Sequence, residues 1–279
     1  AQRVDLPSPE SLLDTCGTGG APKTFNVSTA AGILAAACGV RVAKHGNRSR
    51  TGRGSAEILE QLGVNIGLSP EQQARCLEEV GICFCFAPMH HKSVAHAMPA
   101  RKSLKTPTIF NLLGPLTNPC SAGRQLLGVW DDVYVEPMAE ALRGGGTTFS
   151  AVVHSHDGLD EISISAPTRV VYVEGDVLRE DVIDPESLGL RLWDRSTVTA
   201  NSLESAVDLV RESFAVGGRS GARDMVVLSS AVGLYLAGRA DSVGGGVAIA
   251  SAAIDSGHAE GLIDRWVQVS CSNTPSTGG

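Results

Sequence analysis

The feature that most restricts the fold of this chain is an apolar run, Leu12 and Leu13, leading through DTC and the turn Gly17-Thr18-Gly19-Gly20 toward the small-residue segment VSTAAGILAAACGV. That order predicts strand, loop, helix, because the segment has helical length and glycine supplies the reversal between the two. The unit repeats once. VRVAKHG reads as a second strand entering a polar loop, and SAEILEQLGV places Ile58, Leu59 and Leu62 on one helical face before Gly63 ends it. Ser69-Pro70-Glu71 then opens another helix with an N-cap and a first-turn proline, and GICFCFAP is the next buried strand. Alternation of this kind predicts an α/β fold with a largely parallel central sheet flanked by helices.

Further along, FSAVVHSH and RVVYVEGD read as strands, and helices are expected through Leu203 to Phe214, Asp224 to Ala237 and Gly244 to Ile254. The polar stretch over 88–107 reads as a helical excursion that leaves the sheet and returns. On this reading 12–265 form one α/β domain with that interruption, and 266–279 a flexible tail.

Composition removes several classes of function. The 279 residues, 43% of them hydrophobic, suffice for one large domain or two modest ones. A net charge of -7 and only 4% aromatic residues oppose a nucleic-acid binder, which needs a basic face and stacking rings. No apolar run approaches the roughly 20 residues of a membrane span, since AAGILAAACGV meets Arg41 too early. Seven scattered cysteines, an odd number, read as reduced thiols in a cytoplasm. Cys83 and Cys85 alternate with Phe84 and Phe86, which puts both on one side of a buried strand. A C-x-C metal pair is the sharper reading of them, but no second Cys or His pair stands at zinc spacing, and the buried strand is preferred. AQRVDLPSPE has neither the basic nor the apolar region of a secretory leader.

Three stretches carry the residue types of phosphate chemistry. Gly17, Thr18, Gly19 and Gly20 lie between a strand and a helix, where backbone N–H groups and the helix dipole favour an anion; a plain tight turn reads the same way. Asn26, Ser28 and Thr29 follow, placed either to cap the helix or to reach a phosphate or metal. KHGNRSRTGRGSAE gathers Lys44, His45, Arg48, Arg50 and Arg53 in an acidic chain, and the interleaved glycines favour a small polyanion over a merely solvated face. Asp160-Glu161 in HDGLDEIS is either an ordinary surface turn or a pair of hard oxygen ligands of the kind that hold magnesium.

In combination, GTGGAPKTFNVSTAAGILAAACGVRVAKHGNRS, FAPMHHKSVAHAMPARKSLKTPTIFNLLGPLTNP, QLLGV and DGLDEIS closely resemble the anthranilate phosphoribosyltransferase family, from about Leu12 to Ile263. The resemblance implies transfer of the phosphoribosyl group of phosphoribosyl pyrophosphate (PRPP) to the amine of anthranilate, with Mg2+ as cofactor. It also implies a large α/β domain hinged to a small helical one, toward which 88–107 would run. Most of that small domain comes, in the family, from an N-terminal helical segment that this sequence does not contain, and homodimers form through it. Residue by residue, Gly17, Thr18, Gly19 and Gly20 match the pyrophosphate-binding turn, Asn26, Ser28 and Thr29 the contacts that follow, and Lys44 and Ser55 residues near the phosphates. Ser28, Asp160 and Glu161 match metal ligands. His45, Asn47, His91, Arg101, Gly114 and Pro115 fall where the family forms its anthranilate channel, with Arg101 set to pair with the substrate carboxylate. His45 is also readable as a loop cap, His91 as a helix cap and Arg101 as a surface arginine.

Two loops depart from the family pattern. The first reads GTGGAPKTFN where GTGGD and one more residue are usual, so Ala21 replaces an aspartate; the second reads SRTGRGSAE where a longer serine-rich SVSSKSGSAD is usual, with Glu57 in place of the final aspartate. A pyrimidine nucleoside phosphorylase shares a similar glycine turn, but KHGNRS and the carboxylate pair argue against it. A non-catalytic nucleic-acid-binding relative is opposed by the charge.

Overall fold

Seven strands form one sheet: β1 Leu13–Gly17, β2 Val42–Gly46, β3 Ile82–Phe86, β4 Arg124–Gly128, β5 Phe149–Ser155, β6 Thr168–Glu174 and β7 Val177–Ile183, in the order β3-β2-β1-β4-β5-β6-β7. The computed structural model of the chain describes residues 2–22, 24–49, 52–91 and 108–272. β1 to β5 are parallel to one another, and β6 and β7 add an antiparallel edge beyond β5. The expected α/β architecture with a largely parallel sheet is what the chain adopts.

Period-two alternation buries both faces. Leu126, Ala151, Val153, Val170 and Tyr172 belong to one apolar core, while Leu127, Val152, Val171 and Val173 belong to another on the opposite side. The first core is covered by α1 (Val27–Ala37) and by helices of the last third of the chain, among them Gly221–Leu236, whose Gly233 packs on Leu13 of β1. The second is covered by Val135–Gly144, through Val135, Met138, Ala139 and Leu142.

The strand order reverses at β1. The chain builds β2 and β3 on one side of it, then returns to place β4 on the other. In open α/β sheets the ligand crevice lies beyond the carboxyl ends of the strands at such a point. Here those ends are Gly17 and Gly128, opposite each other in register.

Two features differ from the sequence reading. β7 was not anticipated, because its outward residues Arg179, Glu180 and Asp181 break the apolar alternation; it is an edge strand, and charge protects such an edge from pairing with another chain. The flexible tail expected over 266–279 is corrected for its first part. A helix runs from His258 to Cys271 and buries Ala259, Leu262, Trp266 and Ser270 at helical spacing, with Asn65 bonded to Ser270. Residues 273–279 lie outside the described residues. The excursion over 88–107 does so from 92 onward; before that, Ala87–His90 is a single helical turn. No helix among the described residues is long and apolar enough to cross a membrane.

Trp266 is 1% exposed, so Trp266→Ala should cost about 3–5 kcal/mol of folding free energy. Urea denaturation checks this, and a change near zero would return the segment to a tail.

Candidate active site

The site starts from a close crossing of main chains. A Cβ on Gly128 would lie 1.7 Å from the Asp160 carbonyl oxygen, and one on Gly17 would lie 3.2 Å from Asp160 Oδ2. Glycine at both strand ends therefore lets the β5–β6 connection rest on β1 and β4. Beyond Gly17 the chain turns through Gly19 and Gly20, at φ of 64° and 105°, in the left-handed region that glycine enters without penalty. The Gly19 N–H donates to Asp160 Oδ2 at 2.9 Å. Thr18 is turned inward, its N–H and hydroxyl both donating to the Gly128 carbonyl, and its hydroxyl accepting from the Trp130 N–H.

Lys44 on β2 reaches the same place from below. It is 1% exposed, and its Nζ donates to the Thr15 carbonyl at 2.5 Å and to Ser28 Oγ at 3.3 Å. Glu161 accepts from the Ser28 N–H and lies within the field of Lys44. Burial pushes both acids of the Asp160-Glu161 pair up from their usual values, and Glu161 rises further because of the charge on Asp160. Burial lowers Lys44, while Asp14, Cys16 and Glu161 act to keep its charge. Gly17 to Gly20, Ser28, Lys44, Asp160 and Glu161 thus form one group, as the sequence reading required.

A second group lies at the ends of β2 and β3. His45 Nε2 and His91 Nε2 are 3.2 Å apart, the His45 ring also bonds the Gly114 main chain, and Pro115 follows in a short 3-10 turn. His45 is buried among other imidazoles and is pushed down to about 3, burial being the larger cause and His91 the next. His91 is lowered as well, chiefly by burial.

Some predicted roles are spent elsewhere. Asn26 stands at the N-cap position of α1 but makes no side-chain cap; its Oδ1 accepts from the Thr29 hydroxyl and its Nδ2 donates to the Arg53 carbonyl. Ser55 donates to the Asn47 carbonyl and sits against Gly46, while Asn47 Oδ1 accepts from the Arg48 N–H. The basic cluster does not converge as expected: Arg48 pairs with Glu60 at 2.7 Å and Arg53 donates to the Ala200 carbonyl. A nearby carboxylate and a main-chain carbonyl claimed these two cations, and of the cluster's described cations Lys44 is directed at Ser28. Arg50 and Arg101 lie outside the described residues.

The sequence reading also missed three tethers. Asn111 Nδ2 donates to the Thr18 carbonyl at 2.9 Å, and Asn118 Nδ2 donates to Asp14 Oδ2 and to the Ala43 carbonyl, each at 2.8 Å. Asp14, raised to about 6 by burial against the opposing pull of Lys44, was visible as a lone acid in an apolar strand.

The match to known proteins follows this geometry. The model of the glycosyl transferase family a/b domain matches residues 9–260. Anthranilate phosphoribosyltransferase of Rubrobacter xylanophilus is 46% identical over 265 residues, which are 94% of this chain and 78% of that one. The chain belongs to the anthranilate phosphoribosyltransferase family. Among solved members, the enzyme from Thermus thermophilus superposes with a TM-score of 0.90 at 38% identity, over 98% of this chain and 81% of its own. The Saccharomyces cerevisiae enzyme, determined in complex with PRPP and Mg, superposes with a TM-score of 0.88 at 27% identity, over 98% and 77%. Within the family, the Ala21 and Glu57 departures fall beside the two phosphate-type loops. Glu57 Oε2 accepts from the Gly54 and Ser49 N–H groups, so it closes its own loop.

Two measurements test this arrangement. Gly128→Ala should cost about 1–3 kcal/mol through the clash with Asp160, whereas Gly144→Ala, with nothing within 4 Å of its Cβ, should be neutral or stabilising; urea melts of the two variants compare them. The depressed His45 contributes stability that is present above the unfolded value near 6.5 and lost as pH falls toward 3. Wild type should therefore lose about 2 kcal/mol more than His45→Gln between pH 7 and 5. The comparison is by difference because Asp14, raised in the folded state, acts in the opposite sense. Parallel profiles would contradict it.

Proposed function

We propose that this chain transfers the phosphoribosyl group of PRPP to the amine of anthranilate and releases pyrophosphate. The observation that carries the reading is the bond from Gly19 to Asp160, which joins the glycine turn to the acid pair at the sheet's switch point. Exposed main chain at Gly17, Gly19 and Gly20, followed by a helix with no side-chain cap, suits the pyrophosphate. The second group, with His45, His91, Gly114 and Pro115, suits the anthranilate, and by resemblance Arg101 takes its carboxylate.

The residues present fit magnesium. The Ser28 hydroxyl and the Asp160 and Glu161 carboxylates are hard oxygen donors, and a divalent cation would relieve the repulsion that raises the two acids. Among the described residues, the buried Lys44 lies in the field of Asp14 and Glu161, so an added cation would supply positive charge for a diphosphate. When bound, magnesium supplies charge opposite the departing pyrophosphate. The anomeric C–O bond breaks toward pyrophosphate as the uncharged aryl amine forms the new N–C bond, and the ammonium so formed gives its extra proton to solvent or to the departing pyrophosphate. No covalent nucleophile is needed, and the protein's task is to hold the two reactants in line. The same reading carries a cytoplasmic location, supported by seven free thiols, and, where the N-terminal helical segment is present, a homodimer formed through the small helical domain.

Loss of anthranilate fluorescence with PRPP and magnesium measures the activity. Glu161→Gln should lower kcat by about 100-fold or more, and Arg101→Ala should chiefly raise the KM for anthranilate. Absence of turnover in the wild type, or unchanged kinetics in both variants, would overturn the assignment.

A further inference from the structure

We infer that Cys83, Cys85 and Cys120 form a buried site for one thiophilic d10 cation, of the zinc, cadmium or copper(I) class, separate from the phosphate site. Their sulfurs all lie within 4.8 Å of one another, and they are the only such group of three ligating residues among the described residues. Cys85 Sγ and Cys120 Sγ are 3.3 Å apart. A metal–sulfur bond of about 2.3 Å requires sulfurs about 3.8–4.0 Å from each other, within reach of side-chain adjustment alone.

The sequence arranges this convergence in two ways. Alternation along β3 puts Cys83 and Cys85 on one face of the strand. Cys120 arrives from the other side of the fold, its N–H donating to Asn118 Oδ1 at 2.8 Å, and Asn118 is itself anchored on Asp14 and Ala43. All three cysteines are at most 2% exposed. Scattered buried cysteines behave as small apolar residues, but here the three sulfurs face one another. Soft sulfur donors select soft cations over magnesium, which keeps this site chemically distinct from the oxygen ligands at Ser28, Asp160 and Glu161.

Binding conserves oxidation state. Each thiol that ligates exchanges an S–H bond for an S–metal bond and gives its proton to solvent. A disulfide between Cys85 and Cys120 would instead withdraw two electrons and need an oxidant that nothing in the structure supplies. The segment Gln2–Val4 is tied beside Cys120 by main-chain bonds from Gln2 to His90 and from Val4 to Pro119. A bound ion would pin Cys120, and with it the segment carrying Gly114 and Pro115, to β3.

The test uses the whole chain, reduced and anaerobic, titrated with Cd2+ and followed by its ultraviolet thiolate-to-metal charge transfer. The band should saturate at one equivalent, persist in Cys271→Ala, where the thiol is exposed, and vanish in Cys120→Ala and Cys83→Ala. Displacement of bound Cd2+ by Zn2+ or by Cu+ then separates the two kinds of native occupant. No saturable band in folded wild type, or an undiminished band in both variants, overturns the site. Should the variants not fold, alkylation mapping of wild type decides: one equivalent of Cd2+ should slow labelling of Cys83, Cys85 and Cys120 together by at least tenfold, and an unchanged rate refutes the proposal.

Discussion

The arrangement depends on the absence of side chains at two places, Gly17 and Gly128. With hydrogen alone at those Cα atoms, the Asp160 main chain comes down onto the sheet at the point where strand order reverses. Its carboxylate then meets the Gly19 N–H from the other side. Neither element defines a site by itself. A glycine turn is only a turn, and an acidic pair in a surface connection is only two charges; the contact between them makes a pocket in which main-chain donors, an alkyl ammonium and two carboxylates occupy one volume.

The charges in that volume are expensive. Lys44 and Asp14 are taken almost completely out of water and Glu161 is partly buried beside them, so each group resists ionising through loss of solvation while the neighbour of opposite sign favours it. The carbonyl of Thr15 and the hydroxyl of Ser28 satisfy the ammonium, while the Gly19 and Ser28 N–H groups and the charge of Lys44 only partly offset the burial and repulsion that raise Asp160 and Glu161. On the proposed reading, a site tuned this way favours an incoming cation, which would relieve the raised acids.

Much of the scaffold was legible in the sequence because its signals are local. The Ser69 cap, with Ser69 Oγ accepting from the Gln72 N–H, the glycine ends at Gly63 and Gly81, and the apolar runs of β1, β2, β3 and β5 each announce an element within a few residues. What stayed hidden needs a partner distant in the chain. Arg48 and Arg53 look like phosphate ligands until Glu60 and Ala200 are found beside them. β7 is recognisable as a strand only once β6 pairs with it, since five of its seven residues carry the polar or exposed pattern of a loop. Cys120 has no metal-ligand spacing to Cys83 and Cys85, and only the folded loop anchored by Asn118 on Asp14 and Ala43 brings it to them.

The two halves of the proposed site are coupled through β1. Asn111 hangs the helix before Gly114 from the carbonyl of Thr18, inside the glycine turn, and Asn118 hangs the other end of that segment from Asp14, near the start of the same strand. A displacement of β1 thus moves donor and acceptor surfaces together, and their relative placement is held by hydrogen bonds that use no reacting group. Reactions that depend on alignment lose most when such tethers stretch. The histidines fit the same economy: lowered chiefly by burial, His45 and His91 present uncharged rings at neutral pH, which on the proposed reading would line a path for an uncharged amine without adding positive charge near an anomeric centre that is itself becoming positive.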